Sequence, residues 1–286
     1  MQVASNTLQH LLEFYHKQLD PLHGADEATS MFYEACTQLL SKSKAELSKS
    51  LHYRLQQSEL VILYDQAKAM AKGIPLHYAT GKAFFFDSEY EVTPAVLIPR
   101  PETEELVHHV LKSRAYLRLL DIGTGSGCIA ITLSKHLPMA SVIGVDVSAD
   151  ALAVASKNNQ RLNTQVVFQL VDILDTASTG KLPLFDCIVS NPPYISDEEK
   201  HTLAPHVIHH EPHLALFSGN DALLFYKRII DFSAQHLEQH GSLWFELNPL
   251  TAEAVLNYAH ASQLFKEITL IKDITNKDRI LHAIKK

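Results

Sequence analysis

Two different spacings of hydrophobic residues divide the chain. Between residue 3 and about residue 72, hydrophobic positions recur with the period of a helix, and there is almost no strand signal. One helical face combines Leu8, Leu11, Leu12, Tyr15 and Leu19. This spacing predicts a small bundle of roughly four or five helices. From Leu117 onward, short apolar runs alternate with helical segments, which is typical of a parallel sheet with helices on both faces.

The second part of the chain therefore predicts an α/β fold with a doubly wound, seven-stranded and mostly parallel sheet. Strands fall near residues 117–122, 141–147, 166–171, 185–190, 242–247, 265–272 and 279–284. Helices fall near residues 126–137, 149–162, 221–239 and 250–262. The last two strands are joined by the polar stretch from Asp273 to Asp278. Because this stretch is too short for a parallel crossover, we predict that they pair antiparallel.

A stiff segment joins the two parts. Residues 84–86 and 90–93 predict a short β-hairpin, and a Pro-Arg-Pro sequence follows at residues 99–101. The prolines frame Arg100, which suits an anionic or carbonyl partner, although a plain interdomain hinge explains the segment equally well. Thr103 is placed to cap the next helix. The expected regions are a helical bundle over residues 1–75, a hairpin and linker over 76–100, and the sheet domain over 101–286.

Composition narrows the range of partners. The chain has 286 residues, 46% hydrophobic and 20% charged, which is typical of a globular protein with a sizeable core. A formal net charge of -7 without any run of Lys or Arg argues against a partner held mainly through its phosphates. The 3 cysteines lie far apart, match no metal spacing and favour a reducing compartment. No apolar run approaches ~20 residues, so we expect a cytoplasmic protein that does not enter a membrane.

A glycine-rich turn follows the first strand of the predicted sheet. Its residues are Asp121, Ile122, Gly123, Thr124, Gly125, Ser126 and Gly127. Glycines let the backbone turn tightly and approach a ligand closely. The dinucleotide fingerprint is not met, because Cys128 stands at its third glycine position, and a Walker lysine is also missing. The carboxylate of Asp121 would repel a pyrophosphate but suits a ligand with an ammonium group.

Two further strand ends carry carboxylates. Asp146 ends the second strand, about 20 residues past the glycines, and is placed to accept hydrogen bonds from both hydroxyls of a ribose. Asp172 ends the third strand and can accept from an exocyclic amine, while Ile173 can cover an adenine face. Taken singly, each aspartate is a routine strand-end residue. Together with the glycine turn they describe an adenosine with a zwitterionic tail, which is S-adenosylmethionine more naturally than NAD.

The fourth strand ends in Asn-Pro-Pro-Tyr, residues 191–194. Neither proline can donate to a sheet ladder, and each restricts the residue before it. The Asn191 side-chain oxygen and the Pro192 carbonyl therefore stand as acceptors at the ligand-binding end of the sheet. Such a pair suits an –NH2 group with two hydrogens, and Tyr194 adds an aromatic face. A strand-terminating turn with an exposed tyrosine is an equally good interpretation of these residues alone.

These motifs resemble those of a known family. The glycine turn with Asp146 resembles class I S-adenosylmethionine-dependent methyltransferases, and Asn-Pro-Pro-Tyr resembles the motif of those that methylate planar –NH2 nitrogens. Residues 97–104, taken with that motif, are similar to the HemK/PrmC protein-glutamine methyltransferases. The resemblance covers essentially the whole chain. Further matches are Pro75-Leu76-His77-Tyr78, His210-Glu211-Pro212, Ser218-Gly219-Asn220-Asp221, Lys272-Asp273 and Asp278-Arg279.

The resemblance implies a Rossmann-like methyltransferase domain that uses S-adenosylmethionine and releases S-adenosylhomocysteine. Its substrate would be the glutamine of the Gly-Gly-Gln motif in class I peptide chain release factors. The expected cofactor contacts are Gly123, Thr124, Gly125, Ser126, Gly127, Asp146, Asp172, Ile173 and Asn191. The expected substrate contacts are Asn191, Pro192, Pro193, Tyr194 and Arg100, with Asn191, Pro192 and Tyr194 catalytic. We expect a monomer whose helical bundle docks the release factor.

Two departures from the family pattern concern the pocket edge and the domain contact. His77 stands where the family usually has Gln, and residues 247–251 replace a Gly and a Gln-Gly pair. An N-methyltransferase acting on DNA adenine or RNA guanine remains an alternative, although the acidic charge argues against nucleic acid as a direct partner. A nonenzymatic adaptor would leave the glycine turn and Asn191 unexplained.

The histidines raise the question of a metal site. Four of them follow the Asn-Pro-Pro-Tyr motif together with Glu211, and they are His206, His209, His210 and His213. No cysteine joins them, and the segment is predicted to be a loop. Since methyl transfer to an amide needs no metal, we expect none.

Overall fold

The chain divides into two units. The computed structural model describes residues 5–202 and 205–286. Unit 1 is Met1–Lys82 and unit 2 is Ala83–Lys286. The glycine turn, the three aspartates and the Asn-Pro-Pro-Tyr motif all belong to unit 2, so the candidate chemistry lies in that unit.

Unit 1 is a helical bundle, as the hydrophobic period predicts. Its helices are α1 (Leu8–His23), α2 (Ala25–Leu40), α3 (Lys44–Lys49), α4 (Gln57–Met70) and α5 (Leu76–Thr80). The apolar stripe of α1 lies inside the bundle, with Leu8, Leu11, Tyr15 and Leu19 fully buried. Helices of this length are marginal in water by themselves, so burial of such faces is what stabilises them.

A β-hairpin connects the bundle to the sheet along the chain, as predicted. Its strands are β1 (Lys82–Phe85) and β2 (Ser88–Glu91). The buried Asn158 carboxamide fastens β2 to the glycine turn. Its Nδ2 donates to the carbonyl oxygens of Glu91 and Ser126 at 3.0 and 2.9 Å, and its Oδ1 accepts from the Glu91 N–H at 2.7 Å. One buried side chain therefore holds the hairpin and the turn together.

The main sheet has seven strands, and its topology confirms the predicted α/β class. The remaining strands of the chain are β3 (Arg118–Ile122), β4 (Ser141–Asp146), β5 (Val167–Leu170), β6 (Phe185–Ser190), β7 (Ile195–Ser196), β8 (Phe217–Gly219), β9 (Leu237–Glu246), β10 (Phe265–Lys272) and β11 (Asp278–Lys285). The order across the sheet is β10-β11-β9-β6-β3-β4-β5. Strands β3, β4, β5, β6 and β9 run parallel, while β11 pairs antiparallel with both β9 and β10.

Helices cover both faces of this sheet. They are α6 (Pro101–Ser113), α7 (Cys128–His136), α8 (Ala149–Arg161), α9 (Thr176–Thr179), α10 (Pro205–His210), α11 (His213–Leu216), α12 (Leu224–His236) and α13 (Ala252–Ala261), with a 3-10 helix at Asp197–Thr202. One core cluster contains buried residues of α12 and α13, and another contains those of α6 and α7. No helix in residues 5–202 or 205–286 has both the length and the apolar character that crossing a membrane requires.

The start of α6 corrects one prediction. Thr103 does not cap this helix, because the helix already begins at Pro101 and Arg100 is its N-cap residue. Proline is favoured at the first helical position, since its fixed φ suits the helix and its missing N–H would have no partner there. Thr103 therefore lies inside the first turn, where it is 3% exposed and faces the sheet rather than its own helix end.

The strand order places a crevice between β3 and β6. After β3 the chain builds β4 and β5 on one side, and it then crosses to build β6 and β9 on the other side. The connections leave β3 and β6 in opposite directions at their carboxyl ends. This reversal opens the space in which ligands of doubly wound sheets bind.

Asp121, at the end of β3, holds the glycine turn from below. It is fully buried, and its Oδ2 accepts hydrogen bonds from the Thr124 hydroxyl at 2.6 Å and the Ala130 N–H at 3.2 Å. Its Oδ1 accepts none from the described residues. Burial raises the pKa of the Asp121 carboxyl to about 7. Asp121 is not among the described residues that line the cavity, and its interaction with a ligand's ammonium group stays a prediction.

Asp121→Asn should stabilise the protein more at about pH 8 than at about pH 5. A carboxyl whose folded-state pKa is raised contributes stability that is full below its unfolded pKa and is lost as pH rises through about 7. The neutral amide has no such loss. The measurement is the free energy of unfolding in urea for both proteins at both pH values. The difference between the two proteins isolates the Asp121 carboxyl together with its coupling to Asp146, so a pH-independent difference would contradict the assignment.

Candidate active site

The carboxyl ends of β3, β4, β5 and β6 surround a cavity of about 350 Å³. That volume lies in the range of small-molecule sites, which are roughly 300–1,000 Å³. Most of the residues expected to bind ligand line it, and they are Arg100, Gly123, Thr124, Gly125, Ser126, Asp146, Asp172, Ile173, Asn191, Pro192 and Pro193. The fold therefore brings together segments that are far apart in the sequence.

The glycine turn presents its backbone to the cavity. The N–H groups of Gly123 and Thr124 donate to the Val145 carbonyl at 2.9 and 3.0 Å, which ties the turn to β4. Gly123 and Gly125 have φ values of 74° and 55°, in the left-handed region that glycine adopts without strain. A Cβ atom at either position would meet no atom within 4 Å. The backbone there is open to a ligand.

Asp146 is positioned by the turn that it helps to hold. Its Oδ2 accepts from the Gly125 N–H and its Oδ1 from the Ser148 N–H, both at 2.9 Å. Each oxygen keeps a second lone pair for a ligand. Burial raises the pKa of the Asp146 carboxyl, although these backbone donors oppose the rise. Next to it, Asp172 accepts from the Leu174 N–H at 2.8 Å.

Asn191 has one side of its carboxamide bound and the other side open. Its Nδ2 donates to the Thr103 hydroxyl at 3.1 Å, and that hydroxyl donates to Oε2 of Glu246 at 2.6 Å. Within the described residues, neither Asn191 Oδ1 nor the Pro192 carbonyl accepts a hydrogen bond. The acceptor pair that the sequence predicts is therefore available at the cavity wall.

Two of the expected site residues are not among the described residues that line the cavity. At Gly127, a Cβ would lie 2.9 Å from Ile131 and 3.1 Å from Phe168, so this glycine faces the helix and not the cavity. Tyr194 is partly buried against the core cluster that includes α12, and burial raises its pKa to about 12. An aromatic contact of Tyr194 with a substrate stays a prediction.

Arg100 is held by a carboxylate that the sequence analysis did not assign. Its Nη2 donates to both oxygens of Glu211 at 2.6 and 2.7 Å, and the Glu211 side chain is 1% exposed. The pair joins the start of α6 to the segment before α11. Leu214 of α11 and Phe217 at the start of β8 line the cavity. Arg100 also lines the cavity, and its contact with a substrate stays a prediction.

Sequence reasoning also missed Thr103 and Glu246 as parts of the site. Thr103 was interpreted from its distance to the helix start alone, and Glu246 is a single carboxylate at the end of a buried strand. The two residues are 143 positions apart in the chain. The one available signal was that Glu246 is a polar residue at the end of an otherwise apolar strand. This signal does not indicate which residue Glu246 contacts.

No group of three His, Cys, Asp or Glu side chains within the described part of the chain is arranged to hold a metal ion. The side chain of His206 lies outside the described residues. His213 donates from its Nε2 to the Ile208 carbonyl at 3.0 Å. The absence of a metal therefore stays a prediction.

Comparisons with known proteins identify the fold and the family. A family profile described as methyltransferase small domain matches residues 102–221. A solved methyltransferase from Pyrococcus furiosus has a TM-score of 0.53 and 18% identity to this chain, covering 81% of this chain and 99% of that one. At that identity the likeness concerns the fold alone.

Two sequence relatives extend over most of the chain. A release factor glutamine methyltransferase of Bacteroides thetaiotaomicron is 41% identical over 247 residues, covering 86% of this chain and 83% of that protein. One of Flavobacterium psychrophilum is 38% identical over 262 residues, covering 89% and 91%. Identity at this level over both the bundle and the sheet domain makes this chain a member of the release factor glutamine methyltransferase family.

Proposed function

We propose that this enzyme transfers the methyl group of S-adenosylmethionine to the side-chain amide nitrogen of the glutamine in the Gly-Gly-Gln motif of class I release factors. The observation that carries the proposal is the acceptor pair of Asn191 Oδ1 and the Pro192 carbonyl at the cavity wall. Family membership supports the identity of the substrate. Because that substrate is a translation factor, we also propose that the enzyme acts in the cytoplasm. We further propose that it acts as a monomer.

The chemistry of the cavity fits S-adenosylmethionine. Asp146 and Asp172 offer acceptors for ribose hydroxyls and an exocyclic amine, and Ile173 offers an apolar contact for the adenine. The open backbone at Gly123 and Gly125 leaves room for the methionine part. When bound, the cofactor supplies an electrophilic methyl group on a sulfonium sulfur.

The target amide explains why positioning is the main contribution of the enzyme. An amide nitrogen is a poor nucleophile because its lone pair is delocalised. Asn191 Oδ1 and the Pro192 carbonyl accept its two hydrogens and thereby orient the lone pair. Orientation of this kind contributes up to ~7–11 kcal/mol in well-aligned systems. The same two acceptors stabilise the positive charge that develops on the nitrogen, and the proton leaves after methyl transfer.

A nucleic acid substrate would need a different surface. Adenine and guanine also carry –NH2 groups, and the acceptor pair would suit them. The formal net charge of -7 disfavours a phosphate-bound partner, and the family relatives are named for release factors. Incubation with labelled S-adenosylmethionine and, in parallel, a release factor, DNA and RNA separates these substrates directly.

The residues that line the cavity in the described part of the chain all belong to unit 2. We propose that the helical bundle of unit 1 docks the release factor. The residues around Asn191 can distinguish only an amide and its near neighbours. Selection of one glutamine among all those of cellular proteins therefore requires contacts further away. A folded bundle offers such a surface with little loss of conformational entropy on binding.

Asn191→Ala should reduce kcat for the release factor by ~100-fold or more, because the target amide loses an orienting acceptor. The affinity for S-adenosylmethionine, measured by calorimetry, and the melting temperature should change little. A kcat within a few-fold of wild type would contradict the two-acceptor mechanism. A parallel loss of cofactor affinity would mean that Asn191 acts mainly on the cofactor.

Asp146→Ala should weaken binding of S-adenosylmethionine by roughly 10- to 150-fold, because a buried ligand hydroxyl pair loses its acceptor at ~1.5–3 kcal/mol. Asp150→Asn is the control, since it removes a negative charge from the same cavity without touching the strand end. Calorimetry on both variants tests the assignment. Equal effects of the two substitutions would indicate general electrostatics instead of a ribose contact.

Removal of unit 1 should affect the whole release factor far more than a short peptide. A truncated protein that starts at Gly81 is expected to bind S-adenosylmethionine normally and to lose kcat/KM on the intact factor. A short Gly-Gly-Gln peptide should lose much less, because it has no distant surface to dock. Equal rates of the full-length and truncated enzymes on the intact factor would show that the bundle has no docking role.

A further inference from the structure

Three side chains from separate elements form a chain of hydrogen bonds that ends at the acceptor pair. Glu246 lies at the end of β9, Thr103 in the first turn of α6, and Asn191 directly after β6. The two bonds are 2.6 Å from Thr103 Oγ1 to Glu246 Oε2 and 3.1 Å from Asn191 Nδ2 to Thr103 Oγ1. Glu246 is 2% exposed and Thr103 is 3% exposed, so water does not compete for these groups.

The direction of these bonds follows from the number of protons. An ionised carboxylate can only accept, so Thr103 must donate its single hydroxyl proton to Glu246. The hydroxyl oxygen is then left with lone pairs alone, and its other partner must be a donor. That partner is the –NH2 side of the Asn191 carboxamide. The carboxamide oxygen is consequently turned away from Thr103.

We propose that Thr103 and Glu246 are positioning residues that keep the Asn191 oxygen directed at the target amide, and that loss of the Glu246 charge reverses this orientation. The inference rests on the proposed function of Asn191 as an acceptor. A neutral Glu246 can donate to Thr103, which can then donate to Asn191 Oδ1. The Asn191 –NH2 group would face the target –NH2 group, and two donors cannot bind each other.

Burial of Glu246 sets the pH range in which the Asn191 carboxamide reverses its orientation. It raises the pKa of Glu246 to about 7, with Thr103 and Arg279 opposing the rise. The ionised form therefore increases as pH rises through 7, and methyl transfer should increase with it. The titratable groups that face Glu246 are Arg279 on β11, Arg100 and Glu102 at the start of α6, Tyr194 after β6, Tyr226 on α12 and Cys128 on α7.

Most of these neighbours keep their charge state through this range. Arginine remains protonated at any such pH. Burial raises the pKa of Tyr194 and of Cys128 to about 12 and that of Tyr226 well above its usual value, so all three stay neutral. Glu102→Gln removes the one remaining carboxyl neighbour and serves as the matched control for the pH profile.

The first experiment compares Thr103→Val, Thr103→Ser and Glu246→Gln in the full-length enzyme with the release factor as substrate. Thr103→Val should lower kcat by ~10-fold or more, and Thr103→Ser should restore activity to within a few-fold of wild type. Glu246→Gln, whose carboxamide can accept from Thr103 or donate to it, should remove the pH dependence of kcat. KM for the release factor and the affinity for S-adenosylmethionine should change much less. In an Asn191→Ala background, Thr103→Val should have almost no further effect.

The dependence of kcat on pH is a measurement that would not change if Thr103 and Glu246 had a merely structural role. At saturating substrates, kcat of wild type should rise through about pH 7, and this rise should be absent in Thr103→Val. In Glu102→Gln the rise should persist at lower pH, because the Glu102 charge helps to raise the pKa of Glu246. Asp121 also has a pKa of about 7 and acts on the glycine turn. Calorimetry of S-adenosylmethionine binding over the same pH range separates the contribution of Asp121 from that of Glu246.

A measurement without turnover tests the orientation itself. In an isotope-labelled enzyme, nuclear Overhauser effects should connect the Asn191 Nδ2 protons with the Thr103 side chain at about pH 8 and be lost at about pH 6. The same contact at both pH values, or wild-type kcat and profile in Thr103→Val, would overturn the inference. If wild type does not methylate any release factor, the proposed function fails, and the spectra still decide the orientation of Asn191.

Discussion

The site depends on one constraint, which is that β6 ends in two prolines beside an asparagine. Proline has no N–H to donate, so no backbone donor competes with the carbonyl at this position. The –NH2 group of Asn191 is bound to Thr103, which leaves the carboxamide oxygen as a second acceptor. The parallel sheet places this end next to the glycine turn of β3. The acceptors and the glycine turn thus meet in one cavity because neighbouring parallel strands end at the same edge.

Two buried carboxyls near that cavity, Asp121 and Glu246, form no salt bridge with any of the described residues. Asp121 supports the glycine turn from below, and Glu246 orients Asn191 through Thr103. Burial raises the pKa of both to about 7, so both are unfavourable for folding in their ionised form. The enzyme retains them where they direct polar groups of the site, which is the usual place for such strain in a fold.

Different sequence patterns predicted the helical bundle and the sheet domain. Helical periodicity predicted the bundle because each helix buries one apolar stripe of its own. The strands of the main sheet were predicted because buried parallel strands are short apolar runs between turn residues. However, β9 begins at Leu237, inside the stretch predicted as a helix over residues 221–239, and the short strands β7 and β8 were not predicted. The glycine turn, Asp146 and Asn-Pro-Pro-Tyr could be assigned because each motif is local and its neighbours in the chain define its geometry.

The sequence by itself determined the fold class, the strand ends that carry the candidate site residues, and the acceptor pair. All of these follow from local patterns and their spacing. Only the tertiary structure decided which way the Asn191 carboxamide points. That orientation depends on Thr103 and Glu246, which approach Asn191 from other elements and interact through side chains alone. It likewise decided that Thr103 is not a helix cap, that Arg100 pairs with Glu211, and that Tyr194 packs on the core. Contacts between residues far apart in the chain leave no periodic signal, because no regular spacing connects their positions.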